Sequence, residues 1–579
     1  MPRKIYLFAT ILVTLGLFLA ACQPAVTPAA TALPEVTTPP QPTSPPPEPT
    51  TPPEPTEPAE PKVATISFVQ EPDSLSPLYT TMWFSGITRD FWLKGLWSFD
   101  TNNEPVPELA AEIPTRENGG VSEDGKTLTV KLNPDAAWSD GEPVTAADFV
   151  FTFDMIMSDQ NTVQSRYPYE DYVTSVTAQD DHTLVIEFSE PFAAWQTSIF
   201  TSYVLPKNVL EPVFQADGTL DNAEWNRAPT VGVGPFVFNE WESGSHISFT
   251  KNPNWIRPPK LDEIFIRIVP DDAAQLAAIE AGDTDFGVFL NYGDVPGLEA
   301  LGTVEIVTVG SGYNEGWFLN FDPETAHPAM LDVNVRMALA LATDRSQITE
   351  DLLEGLTEPP ATFWDTTPPY ADPSLEPYPY DPEEANRLLD EAGWTDTDGD
   401  GIRDKDGEKL SLRYITNERP LRGEVQAVVQ QMWNEVGIEA ELVNHSSDVF
   451  WNSFGDGGPQ ALGEYDVAEY SSVGSFPDPE ASSNWLCSEI PGPDSPDGAN
   501  WQRYCNPELD ALLEEQAVTV DPEARKQLYF QIEKIMQDDV VWIGIWKDPD
   551  LWSVNNRLTG VQLSGATPFW NAHEWDASG

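Results

Sequence analysis

A short acidic segment carries residue types and spacing that suit calcium. Residues 396–404 read DTDGDGIRD. Its carboxylates occupy the first, third, fifth and ninth positions of a calcium loop, at Asp396, Asp398, Asp400 and Asp404. The twelfth position, where such loops usually carry a bidentate Glu, is Gly407. The segment predicts either a structural calcium site or a solvated acidic turn between a helix and a strand, and no other cofactor is expected.

Two cysteines flank a loop rich in proline, glycine and aspartate. Cys487 and Cys505 are the only cysteines after Cys22, and they lack the C-x-x-C spacing of redox sites. In an exported protein such a pair predicts a disulfide, which would stabilise the fold by ~3 kcal/mol for a loop of this size. The alternative is two buried free thiols.

Aromatic side chains are a third source of chemistry, because tryptophan faces stack on sugars and on other flat groups. The chain has 20 tryptophans. Those that could line a cleft are Trp83, Trp92, Trp317, Trp364, Trp451 and Trp485. The alternative for each of them is packing in a hydrophobic core.

Charge and motifs exclude several functions. The formal net charge is −64, and such a surface repels phosphate backbones, so we expect no binding to nucleic acid. The five histidines have neither i, i+4 spacing nor clustering, which argues against a transition-metal ligand. No nucleophile elbow, P-loop or H-E-x-x-H motif occurs. The chain has 94 acidic residues, and a glycoside hydrolase needs only two carboxylates, so a secreted acidic glycoside hydrolase is the alternative function from the class of enzymes.

The first 62 residues predict export. Arg3 and Lys4 precede an apolar run that ends at Ala20, and the small residues before Cys22 suit cleavage in front of a lipid-modified cysteine. A proline- and threonine-rich stretch follows that cannot bury enough surface to fold. We expect a signal peptide at 1–21 and a lipid-anchored stalk at 22–62. The alternatives are an ordinary signal peptide with an incidental cysteine, or an N-terminal membrane helix.

The rest of the chain changes character part-way. Alternating segments such as 127–132 and 183–188 predict half-buried strands in a β-rich first half. Helical patterns follow at 271–281, 332–353 and 381–393, and a strand–helix–strand unit covers about 410–443. The second half is therefore predicted to be α/β.

Several short sequence segments, taken in their order along the chain, resemble the extracellular solute-binding proteins of ATP-binding-cassette (ABC) importers, in the peptide/nickel-binding family, family 5. These landmarks are EPDSLSP (71–77), DGKTLTVKLNPDAAWSDGEPVTAADFVFTF (124–153), VGVGPFVFNEW (231–241), KNPNW with PKLDEI (251–264), VRMALALATDR (335–345), DPEEANRLLDEAGW (381–394) and NPELDALL (506–513). Each is weak alone, and their number and order make the resemblance specific.

The resemblance implies an α/β, two-lobed fold like the periplasmic binding proteins, of type II and the large peptide-binding subclass, with mixed sheets and a hinge. We expect lobe one at 63–310, β-rich and joined by 541–579, and lobe two, α/β, at 311–540. The implied function is that of a monomeric receptor outside the cytoplasm. This receptor closes over a ligand and delivers it to a permease with its ATPase subunits, and it is not expected to be an enzyme. We also expect export, with the lipid anchor holding the protein at the outer face of the cell membrane, or a location in the periplasm.

The resemblance also implies ligand-binding positions. In peptide binders an extended segment pairs with the ligand backbone, and the matching positions here are Thr81 and Trp83. Members place an Asp for the ligand α-amine three residues before an acidic-Pro pair, and that position is Ser475, before Asp478. A hydroxyl cannot make the charge-assisted bond of a carboxylate. Either Asp478 takes over this role, or the ligand lacks a free N-terminus; a peptide is expected, with an oligosaccharide held by tryptophans as the alternative.

Overall fold

The computed structural model describes residues 61–80, 82–269, 271–455, 457–493, 495–496 and 498–578, without the side chain of residue 448. The signal peptide, most of the stalk with Cys22, and Thr81 therefore lie outside the described residues. Within the described part, none of the helices combines the length and the apolar character that crossing a membrane requires.

Twenty-one strands are described. They are β1 Val63–Phe68, β2 Trp97–Phe99, β3 Pro105–Pro107, β4 Thr127–Lys131, β5 Val173–Asp180, β6 Thr183–Phe188, β7 Phe236–Glu242, β8 His246–Lys251, β9 Glu263–Ile268, β10 Phe286–Val288, β11 Val304–Val309, β12 Asn314–Leu319, β13 Asp404–Lys405, β14 Glu408–Lys409, β15 Ser411–Asn417, β16 Glu439–His445, β17 Val467–Ser472, β18 Trp542–Lys547, β19 Asp550–Asn555, β20 Leu558–Thr559 and β21 Asp576–Ala577.

Fifteen α-helices are described. They are α1 Trp83–Trp92, α2 Ala146–Met157, α3 Tyr169–Tyr172, α4 Trp195–Ser198, α5 Lys207–Asp217, α6 Asp272–Ala281, α7 Val295–Leu301, α8 Val333–Leu341, α9 Arg345–Leu352, α10 Pro382–Glu391, α11 Pro420–Glu435, α12 Ser447–Phe450, α13 Pro459–Leu462, α14 Pro507–Val518 and α15 Pro522–Asp538.

The first lobe is built on a mixed seven-stranded sheet. Its strand order is β11-β19-β10-β1-β9-β8-β7, with β1 parallel to both β9 and β10 and the other pairs antiparallel. A separate antiparallel sheet has the order β4-β6-β5. One hydrophobic core joins residues between 64 and 288 with residues between 552 and 577. The end of the chain thus completes the sheet and core that its beginning forms.

The second lobe is built on a five-stranded sheet, in the order β16-β15-β17-β12-β18. Successive side chains of β12 enter different cores, because residues alternate between the faces of a strand. Trp317 joins a core formed with α8, α10 and α11, and Phe318 joins one formed with α14 and α15. Helices therefore cover both faces of this sheet, which is the α/β arrangement expected for the second half.

The helix expected over 332–353 is wrong as a single helix, since the structure has two, α8 and α9. The break comes at Asp344, whose carboxylate accepts a hydrogen bond from the Gln347 amide at 3.0 Å and so caps a new helix. The helix expected over 271–281 is a single helix, α6. Asp271 caps α6, and Gly282 ends it in the left-handed conformation.

Two short segments connect the lobes. Residues 310–313 lead from β11 to β12, and residues 548–549 lead from β18 to β19. The two segments touch: the Asp548 amide donates to the Tyr313 carbonyl at 3.0 Å, and the Ser311 hydroxyl donates to the Asp548 carbonyl at 3.0 Å. This paired crossing is the hinge on which the lobes would move.

Candidate functional site

One face of α1 borders a cavity between the lobes. Trp83, Gly86 and Arg89 recur at a spacing of three residues, so they share a face of the helix. All three line a cavity of about 540 Å³. The opposite side of α1 is anchored in the first lobe by Phe91 and Trp92, which are fully buried. The helix therefore holds one face fixed toward the second lobe.

The facing wall is a loop of the second lobe. Residues 473–477 follow β17 directly and line the same cavity, with Ser475 among them. Phe476 lies against the hinge, where a side chain at Gly312 would place its Cβ 2.4 Å from the Phe476 ring. Gly312 also has a φ of +83°, so both its conformation and its contact favour glycine. The loop and the hinge are thus packed together.

A second cavity, of about 390 Å³, lies at the beginning of α1. It shares Met82, Trp83 and Tyr313 with the larger one, so the two form one continuous cleft along the helix. Five aromatic side chains are among the residues that line it, and two of these rings are exposed, at 52% for Phe289 and 40% for Tyr313. We call this end the aromatic end of the cleft.

Two carboxylates border the aromatic end. Asp548 is well partnered: it accepts from the Ser471 hydroxyl at 2.8 Å and from the Tyr292 hydroxyl at 3.2 Å, and Arg419 lies 4.0 Å away. The backbone of Asp550 pairs with Val309 of β11, but its carboxylate has no hydrogen bond or ion pair with any residue in the described part of the chain. Burial, followed by the negative charge of Asp548, raises the pKa of Asp550 to about 7.

The larger cavity has the opposite excess of charge, and we call it the basic end of the cleft. Arg89 and Lys94 line it together with one carboxylate, Asp90. Burial lowers the pKa of Lys94 to about 8, although Asp90 opposes the shift. Asp90 also accepts a hydrogen bond from the Phe569 amide at 2.9 Å. The Arg89 guanidinium has no ion pair among the described residues, and only its Nε donates, to the Gly86 carbonyl at 3.5 Å.

Of the residues that the sequence assigns to the ligand, Trp83 and Ser475 line the cleft. Asp478 does not. Its two carboxylate oxygens accept from Arg525 Nη1 at 2.6 Å and from Nη2 at 2.8 Å, and both side chains are buried. The structure therefore places the charge of Asp478 against Arg525 inside the second lobe, where that charge is already compensated.

Most of the tryptophans expected in the cleft are core residues. Trp317, Trp364 and Trp485 are at most 1% exposed and pack in the two cores of the second lobe, so they do not line the cleft. Trp92 is fully buried beside Trp225, with ring centroids 5.3 Å apart. Trp451 is 41% exposed but borders neither cavity of the cleft. Periodicity marks these residues as apolar and carries no signal for which of them face the gap.

The remaining predicted positions lie elsewhere. Cys487 and Cys505 are joined by a disulfide. Asp396, Asp398 and Asp404 each bring a carboxylate oxygen within 4.8 Å of the others. Asp400 forms an ion pair with Lys409 and is not part of that group. The acidic loop follows α10 and contributes nothing to the cleft.

A family model described as bacterial extracellular solute-binding proteins, family 5, middle, matches residues 104–493, which is more than half of the chain. The chain belongs to this family. Family 5 consists of extracellular proteins that bind solutes, and it is not a family of enzymes.

Individual relatives of this family 5 protein agree with the assignment. Oligopeptide-binding protein AppA of Bacillus subtilis is 26% identical over 531 residues, covering 88% of this chain and 90% of AppA. Protein XP55 of Streptomyces lividans is 29% identical over 517 residues, covering 87% of each. The structure of Bacillus subtilis AppA with a nonapeptide matches with a TM-score of 0.68 and 25% identity, over 90% of this chain and 100% of that chain. The predicted two-lobed fold is confirmed.

Proposed function

We propose that this family 5 protein is the receptor of an ABC importer that captures a peptide between its lobes and delivers it to a membrane permease served by ATPase subunits. The observation that supports this most is the cleft itself: the face of α1 in one lobe opposes the 473–477 loop of the other across a paired hinge. Relatives named as oligopeptide-binding proteins, one of them solved with a nonapeptide, supply the ligand class.

The mechanism follows from contacts with both lobes. A ligand that touches Trp83 on one side and the loop at Ser475 on the other gains more contacts when the lobes close. Only such differential contacts shift the balance toward the closed form. Closure requires rotation about residues 310–313 and 548–549, and the rest of each lobe moves as a body around its own core.

The oligosaccharide alternative loses support in the cleft. Of the six tryptophans that could have stacked on sugar rings, four are in cores, and Trp83 is the one that faces the cleft. The hydrolase alternative needs two carboxylates at opposite sides of a cleft. Asp548 and Asp550 are the two carboxylates at the aromatic end of the cleft, and they lie two positions apart on one segment rather than facing each other across the gap between the lobes. We therefore propose binding without turnover.

A thermal-shift screen over peptide and oligosaccharide pools, followed by calorimetry on the ligands that stabilise, tests the proposal. Trp83→Ala should weaken binding at least tenfold. Trp451→Ala is the matched control, because it removes an indole that borders neither cavity, and it should bind normally. Stabilisation by oligosaccharides alone, or release of sugars from them, would contradict the proposal.

Lipid attachment at Cys22 is part of the same proposal, with the 22–62 stalk holding a monomer outside the membrane. The supporting observations are the small residues before Cys22 and the family's extracellular character. Expression with a labelled fatty acid should label the wild-type chain and leave Cys22→Ala unlabelled. Equal labelling of both would contradict lipid attachment at Cys22.

A further inference from the structure

The two ends of the cleft carry opposite unpaired charges. The aromatic end is bordered by the carboxylates of Asp548 and Asp550 and by one cation, Arg419. The basic end is bordered by the cations of Arg89 and Lys94 and by one carboxylate, Asp90. Among the described lining residues, one end therefore has an excess negative charge and the other an excess positive charge.

Asp550 is the carboxylate left over at the aromatic end. Arg419 lies 4.0 Å from Asp548, which Ser471 and Tyr292 also hydrogen-bond. Asp550 has none of these partners in the described part of the protein, although it is partly buried. Asp550 and Trp552 are two residues apart on β19, so their side chains share a face of that strand. Trp552 contacts Trp83, with ring centroids 5.8 Å apart, and Asp550 lines the same cavity as Trp83.

Arg89 is the cation left over at the basic end. Behind it, Lys94 lies 3.8 Å from Glu108, and Glu108 also pairs with Arg257. Arg89 instead lies along its own helix, and a Cβ placed on Gly86 would be 3.3 Å from its Nη2 atom. Gly86 lines the cavity, so the guanidinium lies at the cavity wall, where its terminal nitrogens have no acceptor among the described residues. Burial lowers the pKa of Arg89, although Tyr203 and Asp90 oppose the shift.

A buried charge without a partner is costly, and a ligand that supplies the partner removes that cost. We propose that the cleft binds a zwitterionic peptide lengthwise along α1, with its terminal ammonium at Asp550 and its terminal carboxylate at Arg89. This inference rests on the proposed function and names the chemistry that the ligand must carry. Guanidinium and carboxylate form the bidentate pair that gives both strength and orientation.

The aromatic walls suit the ammonium end. Trp83, Phe289 and Tyr313 line the cavity that Asp550 borders, and the faces of aromatic rings attract a cation. The neutral hydroxyl of Ser475 is in the other cavity. A free N-terminus therefore has an anchor in this cleft although Ser475 is not acidic and Asp478 is engaged with Arg525.

The helix sets a minimum length. Trp83 and Arg89 are six positions apart, which is ~9 Å along a helix axis. An extended chain covers ~3.3–3.6 Å per residue. A ligand that reaches from Asp550 past Trp83 to Arg89 needs at least three residues, so dipeptides should gain only one of the two charge contacts.

The test uses tetrapeptides of alanine, leucine and phenylalanine in four forms: free, N-acetylated, C-amidated and capped at both ends. Their neutral side chains leave the termini as the only charges. Calorimetry on the wild-type protein should give at least tenfold weaker binding for each single cap. Tetrapeptides capped at both ends but carrying one lysine or one glutamate show whether a side chain can substitute for a terminus, and we expect them to bind as weakly as the fully capped form.

Variants assign each charge to its end. Asp550→Asn should weaken the free peptide at least tenfold and leave the affinity for the N-acetylated form unchanged. Arg89→Gln should do the same for the free peptide and leave the C-amidated form unchanged. Asp351→Asn and Arg387→Gln, exposed positions on α9 and α10, are matched controls that should change nothing. The capped peptides on the wild-type protein carry the test if a variant fails to fold.

Equal affinity of the wild-type protein for free and capped peptides would overturn the inference while the proposed function stands. A variant that loses the free and the matching capped form equally would also overturn it. If the wild-type protein binds no peptide of any form or pool, the proposed function fails, and the inference fails with it.

Discussion

Replacing Asp478 by Asn should destabilise the second lobe and leave ligand affinity almost unchanged. The Asp478 and Arg525 side chains are 8% and 3% exposed and are joined by two hydrogen bonds of 2.6 and 2.8 Å. Burial alone would lower the pKa of Arg525, and the charge of Asp478 outweighs it and raises that pKa above its ordinary value. The pair therefore compensates a charge that water cannot reach.

Removing one partner of a buried pair costs ~3–5 kcal/mol, because the other charge stays buried. For a lobe of this size, each kcal/mol lowers the melting temperature by ~2–4 °C. The expected loss is about 6–20 °C, measured by calorimetry as a shift of the transition that belongs to the second lobe. Peptide affinity at 20 °C, where the variant stays folded, should change less than threefold.

Glu523→Gln is the control, since Glu523 begins the same helix, α15, and pairs with Lys526 while 71% exposed. A surface pair of this kind contributes at most ~1 kcal/mol, so its removal should lower the melting temperature by only a few degrees at most. An Asp478→Asn variant that melts like the wild type and loses peptide affinity would show instead that Asp478 contacts the ligand.

Three further changes have defined outcomes. Burial raises the pKa of Asp550 to about 7, and a cationic group prefers the ionised carboxylate. Calorimetry should therefore show that affinity for a free peptide rises between pH 6 and pH 8. Asp550→Asn, which leaves Asp548, Arg419 and the neighbouring tyrosines unchanged, should flatten that rise. The same raised pKa makes the free protein less stable as pH rises from about 4 to 7, because the folded state holds a proton that the unfolded state has released. Replacing Cys487 and Cys505 by serine opens a loop of 18-residue separation and should cost ~3 kcal/mol in denaturant unfolding, whereas equal midpoints would show that the disulfide does not stabilise the fold. Calcium should raise the melting temperature, and the double change at Asp396 and Asp398 should abolish that rise; a rise that persists in the variant would place the ion elsewhere.

Local features of the fold follow from the sequence. Asp381 caps α10 by accepting from the Glu384 amide at 3.0 Å, and Pro382 occupies the first turn, as the segment 381–393 indicates. Glu384, three residues after the cap, could have bonded back to the Asp381 amide, but its carboxylate accepts from Arg387 instead. When a side chain has two hydrogen-bond partners within reach, the spacing of residues in the sequence does not show which partner it binds.

The cleft was much less accessible to prediction. Trp83 and Ser475 could be found through the family resemblance, which aligns loops by their landmarks. Asp550 and Arg89 could not, because their importance lies in the partners that they lack, and only packing shows that Asp548 and Lys94 are engaged while these two are not. Trp317 and Trp364 were expected in the cleft and lie in cores for the same reason: the sequence pattern of a strand or loop does not distinguish a core position from a wall of the cleft.

Small-angle scattering of the protein with and without a saturating free tetrapeptide measures whether the lobes close on the ligand. If the ligand bridges α1 and the 473–477 loop, the radius of gyration should fall on binding, and the fall should be smaller for the peptide capped at both ends at equal concentration. Calorimetric binding with no compaction of the protein would contradict capture by closing lobes.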